Sequence, residues 1–299
     1  MAGDVLAHLA FCNLAAGLAI LLVLTLRRPA RALFGAEIAY LLWLLPVAAG
    51  VAALLPARAA EPGAEAARRF IISGDHAALL GAVWAIGAGL ALALLLWSQS
   101  RFMRRARLGL AGPAVVGVLT PRMIVPDDYQ TRFTEAERAV IRAHERAHIE
   151  RLDPRVNALM AVIQCLGWFN PLIYLAVREA RLDQELACDA RVMGRLSRER
   201  GLYARTLLKT QLGAQALPLG CHWPAVAPHP LEERVTMLTR PQPTLRRTAM
   251  GGALVTAMSL TAAVGAWSAQ PLGPPRPVAA PVIWPEAVVY ARMSLALEP

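Results

Sequence analysis

The chain has 299 residues, of which 56% are hydrophobic and only 17% charged, with a mean hydropathy of +0.42. Soluble domains carry about 25% charged residues, so this composition argues against a soluble globular protein and for a membrane protein with one modest polar domain. The formal net charge of +10 comes almost wholly from arginine, with Lys209 the only lysine, and lies beside apolar runs rather than in an aromatic-interleaved patch; direct nucleic-acid binding is not expected.

The first apolar run, 5–26, follows Met-Ala-Gly-Asp, which has no basic stretch, so it reads as a retained anchor rather than a cleaved signal. Runs 38–55 and 77–97 follow, and a fourth, 248–267, is rich in small residues of the kind that pack membrane helices. At about 1.5 Å per residue each reaches far enough for a hydrocarbon layer of about 30 Å. Arg27, Arg28 and Arg31 follow the first run, Arg101, Arg104, Arg105 and Arg107 follow the third, and Arg240, Arg246 and Arg247 precede the fourth. The positive-inside rule then places the first loop and 98–247 in the cytosol, with both termini and the 268–299 tail outside. Four scattered cysteines, without a CxxC pair, predict neither a disulfide framework nor a cysteine-ligated zinc site.

Within 98–247, "PAVVGVLTPRMIVP" predicts a short two-stranded ribbon, with Gly117 and Pro121 breaking its β-branched residues. Thr134 and Glu137 have the spacing of a capping box, so a helix starts there and stops near Asp153-Pro154. That helix carries His144, Glu145 and His148. Histidines four apart face the same side and can share one ion, while Glu145 is placed to reach a water on it: the His-Glu-x-x-His pattern of zinc hydrolases. The bland alternative is a surface helix with two solvated histidines.

Two histidines leave zinc short of a protein ligand. The sequence "LDQELACDARV" offers Glu185 as that ligand, with Asp183 as the fallback, and Asp189 as a carboxylate able to accept a histidine ring N–H. The alternative for Glu185 and Asp189 is a solvated acidic face. A fifth apolar run, 158–177, lies between the histidines and Glu185. If it crossed the bilayer, the ligands would be on opposite sides, so it must turn back, and Asn170-Pro171 supplies the turn.

"HERAHIERLDP" followed by "GWFNPLIYLAVREARLDQELACDARV" resembles the BlaR/MecR-type antirepressor metallopeptidases of bacterial membranes, over about residues 98–240. The resemblance implies a gluzincin-like peptidase of the bacterial inner membrane, with His144, His148 and Glu185 as ligands of one zinc per chain and Glu145 as general base. It also implies a protein substrate, such as a cytosolic winged-helix repressor. The sensors of that family carry a penicillin-binding domain after the last span; here about thirty residues follow without a Ser-x-x-Lys, so β-lactam acylation is not expected. "PHPLEERV" is similar to a His-Pro…Arg element of related membrane zinc peptidases, which makes His229 and Arg234 candidate oxyanion stabilisers, and Tyr203 is a further candidate.

The expected architecture is a mainly α integral membrane protein. Four transmembrane helices would carry a cytosolic, α-rich zincin-type domain with a small β ribbon, inserted between spans three and four. The competing reading is a non-proteolytic signalling scaffold with a structural zinc site.

Overall fold

A computed structural model describes residues 2–58, 74–213 and 229–270. Helix α1 (Ala2–Phe34) ends at Gly35, whose φ of 98° breaks the helix. A Cβ there would lie 2.7 Å from Cγ of Pro243, so glycine meets both a backbone and a packing demand.

The second expected span, 38–55, is not one helix but two, α2 (Ala36–Leu41) and α3 (Leu44–Ala52). Pro46 gives the reason. It has no N–H to donate to the Leu42 carbonyl, and its ring crowds that carbonyl. The backbone tightens instead, with Trp43 N–H donating to Tyr40 O at 3.1 Å and Leu45 N–H to Leu42 O at 3.0 Å. Among the described residues three helices are long and apolar enough to cross a membrane: Leu6–Phe34, His76–Arg107 and Leu245–Ser268. They correspond to α1, α4 (Gly74–Arg107) and α11 (Leu245–Ser268). The paired α2 and α3 pack between α1 and α11, where Val23, Ile38, Leu42, Leu45 and Val255 form a buried cluster.

After α4 come β1 (Ala114–Val116) and β2 (Arg122–Ile124), antiparallel with Val115 opposite Met123. A short α5 (Tyr129–Arg132) leads into α6 (Glu135–Glu150). The capping box is present: Thr134 Oγ accepts from Glu137 N–H at 3.3 Å, and the Glu137 carboxylate accepts from Thr134 N–H at 2.8 Å. Leu152, with φ 60°, reverses the chain into α7 (Asp153–Leu166).

The apolar run 158–177 is divided between α7 and α8 (Pro171–Arg195), which meet at Gly167–Asn170. Asn170 caps α8 by accepting from Leu172 N–H at 3.0 Å, and Pro171 occupies the first helical turn, where a missing N–H costs nothing. The turn is held by the indole N–H groups: Trp84 donates to Leu166 O at 2.9 Å and Trp168 donates to Trp84 O at 3.2 Å. Asn170 also donates to Asn13 Oδ1 at 3.3 Å. Asn13 precedes Arg27 by fourteen residues on α1, about 21 Å along the axis. Helix α8 then runs beside α1 and meets Arg27 at Asp183.

Helix α8 therefore joins two cores. Its first half packs with Ile20 and Met160, and its second half packs Cys188, Val192 and Met193 with Val140, Ala147 and Tyr203. A 3-10 turn (Ser197–Glu199), α9 (Arg200–Gly213) and α10 (His229–Leu238) complete the polar part before α11. These elements belong to one compact unit, Met1–Leu55 with Phe70–Ala269; the second unit, Pro56–Arg69 with Gln270–Pro299, falls almost wholly outside the described residues, as does the expected 268–299 tail beyond Gln270.

Candidate metal centre

His144 and His148 lie one turn apart on α6, with their Nε2 atoms 3.1 Å from each other. The Glu185 carboxylate, brought across by the α7–α8 reversal, is 3.4 Å from His144 Nε2 and 3.6 Å from His148 Nε2. Donors placed about 2.0–2.1 Å from a common ion at tetrahedral corners sit about 3.3–3.4 Å apart. The three observed separations bracket that value.

The opposite edges of the rings explain why these atoms converge. His148 Nδ1 is 2.7 Å from the buried carboxylate of Asp153, which can only accept, so Nδ1 carries the proton. Tyr203 donates its hydroxyl to Asp189 Oδ1 at 2.6 Å, leaving its oxygen to accept from His144 Nδ1 at 2.8 Å. Both neutral rings are thereby fixed in the tautomer whose Nε2 lone pair faces Glu185. Two nitrogen lone pairs and a carboxylate aimed at one point repel unless a cation lies among them. The donor set fits a divalent metal.

The same demand for positive charge appears in the ionisation of these groups. Burial opposes protonation of His144, yet Cys188 and Glu185 raise its basicity to about 10. His148 is likewise raised against the effect of burial, by Glu185 and Asp153. Burial also opposes ionisation of Glu185, but Arg234 and both histidines hold its carboxyl well below the ordinary carboxylate range. A proton drawn between the imidazoles and a bound metal are competitors for one position.

Glu145, 9% exposed, faces the same charges, with His144, His148, Glu185 and Arg234 as its electrostatic neighbours. Burial pushes its carboxyl up, against the pull of the histidines. A carboxylate shifted in that direction is better matched to taking up a proton near neutrality.

Asp189 does not meet a histidine directly within hydrogen-bonding geometry: its Oδ1 is 3.4 Å from His144 Nδ1, and Tyr203 lies between them as donor and acceptor. Arg234 holds Asp189 through two hydrogen bonds of 2.8 and 2.9 Å and also reaches Glu185 Oε2 at 3.1 Å. The Tyr203 hydroxyl proton is thus committed to Asp189, which removes it as a donor to a substrate oxygen. Arg234, with 5% exposure, lies behind Glu185 and Asp189 as their common partner. His229 opens α10; its side chain, with Pro228 before it, lies outside the described residues. The fallback ligand Asp183 is fully buried on another face of α8, where Arg27 at 3.3 Å, Arg31 at 3.0 Å and the Trp43 indole at 2.9 Å occupy its oxygens.

Two site residues escape a reading from spacing alone. Asp153, five positions after His148, reaches it because Leu152 takes a left-handed conformation. Cys188 forms a metal-capable group with His144 and His148, and it stands three residues after Glu185 on α8. Burial raises the Cys188 thiol, and the two histidines more than offset this and lower it. Its sulfur, however, is 3.6 Å from His144 Nδ1, the edge already used by Tyr203, and its S–H donates to the His144 carbonyl at 3.4 Å. Glu185 faces both Nε2 atoms, so geometry favours the carboxylate over the thiol.

Comparison with known proteins agrees with this geometry. The family model described as BlaR1 peptidase M56 matches residues 106–238. Regulatory protein BlaR1 of Bacillus licheniformis is 32% identical over 98 residues, covering 32% of this chain and 16% of that protein. The methicillin resistance mecR1 protein of Staphylococcus aureus is 28% identical over 101 residues, covering 33% of this chain and 17% of that protein. The match thus spans about a sixth of the length of these curated relatives. No solved structure matches the chain. The matched segment begins as α4 ends and runs through the last residue of α10, so it takes in every residue of the His144–His148–Glu185 constellation, and over this segment the chain is similar to the BlaR/MecR-type metallopeptidase family.

Proposed function

We propose that the chain is a zinc endopeptidase that hydrolyses peptide bonds at the cytosolic face of the bacterial inner membrane. The observation that carries this reading is the convergence of two tautomer-fixed imidazoles and one carboxylate on a single point, beside the buried Glu145. His144, His148 and Glu185 hold one zinc, which when bound supplies Lewis-acid polarisation of a scissile carbonyl and activation of water. Asp153 and Tyr203 keep the rings oriented, and Asp189 with Arg234 keeps Tyr203 and Glu185 in place. Glu145 takes the proton from the attacking water as the C–O bond forms, and delivers it to the amine nitrogen as the C–N bond breaks.

The proposed topology rests on α1 and α4 running in parallel. Asn13 of α1 and Trp84 of α4 both touch the α7–α8 turn, each about ten residues into its helix, which supports α1 and α4 running the same way through the bilayer. Chain continuity then needs a crossing between them, and 38–55, kinked at Pro46, is that second span of four. The arginines after α4 and before α11 support 98–247 in the cytosol with both termini outside. The 158–177 hairpin enters the bilayer from the cytosolic side and returns, its backbone groups paired in helices or, at the turn, with the side chains of Trp84, Asn170 and Tyr174.

The family resemblance, and the word "regulatory" in the name of BlaR1, favour signal-dependent cleavage of a transcriptional repressor of the winged-helix type. A substrate trap tests this. Glu145→Ala and wild-type chains are expressed in parallel, and the protein that accumulates uncut only with the variant identifies the substrate. A Glu145→Gln chain that fully complements a deletion would instead favour the non-proteolytic scaffold.

A further inference from the structure

We infer that Arg31, on the first membrane helix, positions the metal ligand Glu185 by tying together α8 and α10, the two helices that supply Glu185 and its partner Arg234. The inference rests on the zinc reading above. Arg31 is 5% exposed, Asp183 has no exposure, and Arg31 Nη2 donates to Asp183 Oδ1 at 3.0 Å. Its Nη1 pairs with Glu233 on α10. Asp183 precedes Glu185 by two residues on α8, a rotation of about 200°, so the pair faces α1 on one side of the helix and the histidines on the other. Glu233 immediately precedes Arg234, whose guanidinium meets Glu185 at 3.1 Å and Asp189 at 2.8 Å. One buried guanidinium therefore clamps the two helices whose side chains meet at the metal site, from outside that site.

The rest of the layer isolates Arg31 as the tie. Arg27 pairs with Glu179 and Asp183, both on α8, and the Trp43 indole donates to Asp183, so these contacts fasten α1 and α2–α3 to α8 alone. Arg31 is the described α1 residue that also grips α10. Glu185 pairs with Arg234 and faces the Nε2 atoms of both histidines, and its side chain is 34% exposed, so its placement depends on how α8 and α10 are held against α6.

The test uses the full chain in lipid nanodiscs and reads zinc affinity, together with the visible spectrum of bound cobalt. Arg31→Met removes the tie, Glu233→Gln removes only its α10 end, and Arg31→Lys keeps the charge. The expected result is a loss of about tenfold in zinc affinity for Arg31→Met, in the range for groups that orient metal ligands, with a changed cobalt spectrum. A smaller loss is expected for Glu233→Gln, with recovery in Arg31→Lys. Val255→Ala, a core truncation between α11 and α1–α3, controls for global stability and should leave affinity unchanged. Wild-type affinity and spectrum in a folded Arg31→Met chain would overturn the inference, as would an equal loss in Val255→Ala. If Arg31→Met does not fold, wild-type affinity in Glu233→Gln overturns it alone. A wild-type chain that takes up no metal brings down the zinc reading itself, and this inference with it.

Discussion

His144 and His148 point their Nε2 atoms at one another across 3.1 Å, with the opposite edge of each ring engaged by Tyr203 or Asp153. The arrangement places the orientation of each imidazole under the control of a residue that does not itself face the metal position. The most economical way to disturb the site is therefore from behind.

Asp153→Asn is the direct test of that control. The amide keeps the size but frees the His148 ring to take the wrong tautomer. Zinc affinity, measured by competition with a chelating dye, should fall by about tenfold to a hundredfold while helicity is unchanged. Unchanged affinity would remove Asp153 from the account.

Metal uptake should release a proton near neutral pH. His144 in the metal-free chain is raised from 6.5 to about 10, so a metal must displace its proton there. Apparent affinity should rise with pH through neutrality, by up to about tenfold per unit for one displaced proton. Without metal the sign reverses. The stabilisation from protonated His144 is fully present below pH 6.5 and disappears as pH climbs through about 10. Calorimetry in buffers of differing ionisation enthalpy counts the protons, and a count of zero contradicts the prediction.

Glu185 and Cys188 make opposite predictions as third ligand. Glu185→Ala should lower zinc affinity by more than about a hundredfold, whereas Cys188→Ser should change it by less than about threefold. Cobalt bound to the wild type should lack the intense near-ultraviolet charge-transfer band of a thiolate ligand. Such a band would reassign the ligand to Cys188.

The start of α6 was legible from four residues, because a capping box is local chemistry that Thr134 and Glu137 complete between themselves. The histidine pair is local for the same reason. The turn at Asn170-Pro171 was legible too, from a proline that favours a helix start. Pro46 carried an equally local signal, and it divides 38–55 into α2 and α3 where hydropathy alone reads one span. Other features depend on distant partners. Arg27 and Arg31 read as charges marking the cytosolic side of a span, yet both are buried against Glu179 and Asp183, about 150 residues away. Asp153 was visible beside the motif, but its role depends on the left-handed turn at Leu152. Tyr203 and Arg234 meet Asp189 only after α9 and α10 pack onto α8, so spacing could nominate them without assigning their contacts.

The cap itself yields a stability prediction. Thr134→Ala removes the acceptor for Glu137 N–H and should destabilise the chain by about 1 kcal/mol, read as a lower melting temperature in nanodiscs. A variant as stable as the wild type would mean that α6 is held by packing alone.

The central claim is a zinc-dependent hydrolysis in which Glu145 moves the proton. The measurement is the cleavage rate of the trapped protein by the full chain in nanodiscs, for wild type and Glu145→Ala, each with its bound zinc counted. The account predicts about one zinc per chain in both. It also predicts cleavage by the wild type that stops on chelation and returns with zinc, and a loss of at least about a hundredfold in the variant. Cleavage by Glu145→Ala at the wild-type rate, or by wild type stripped of metal, would contradict it.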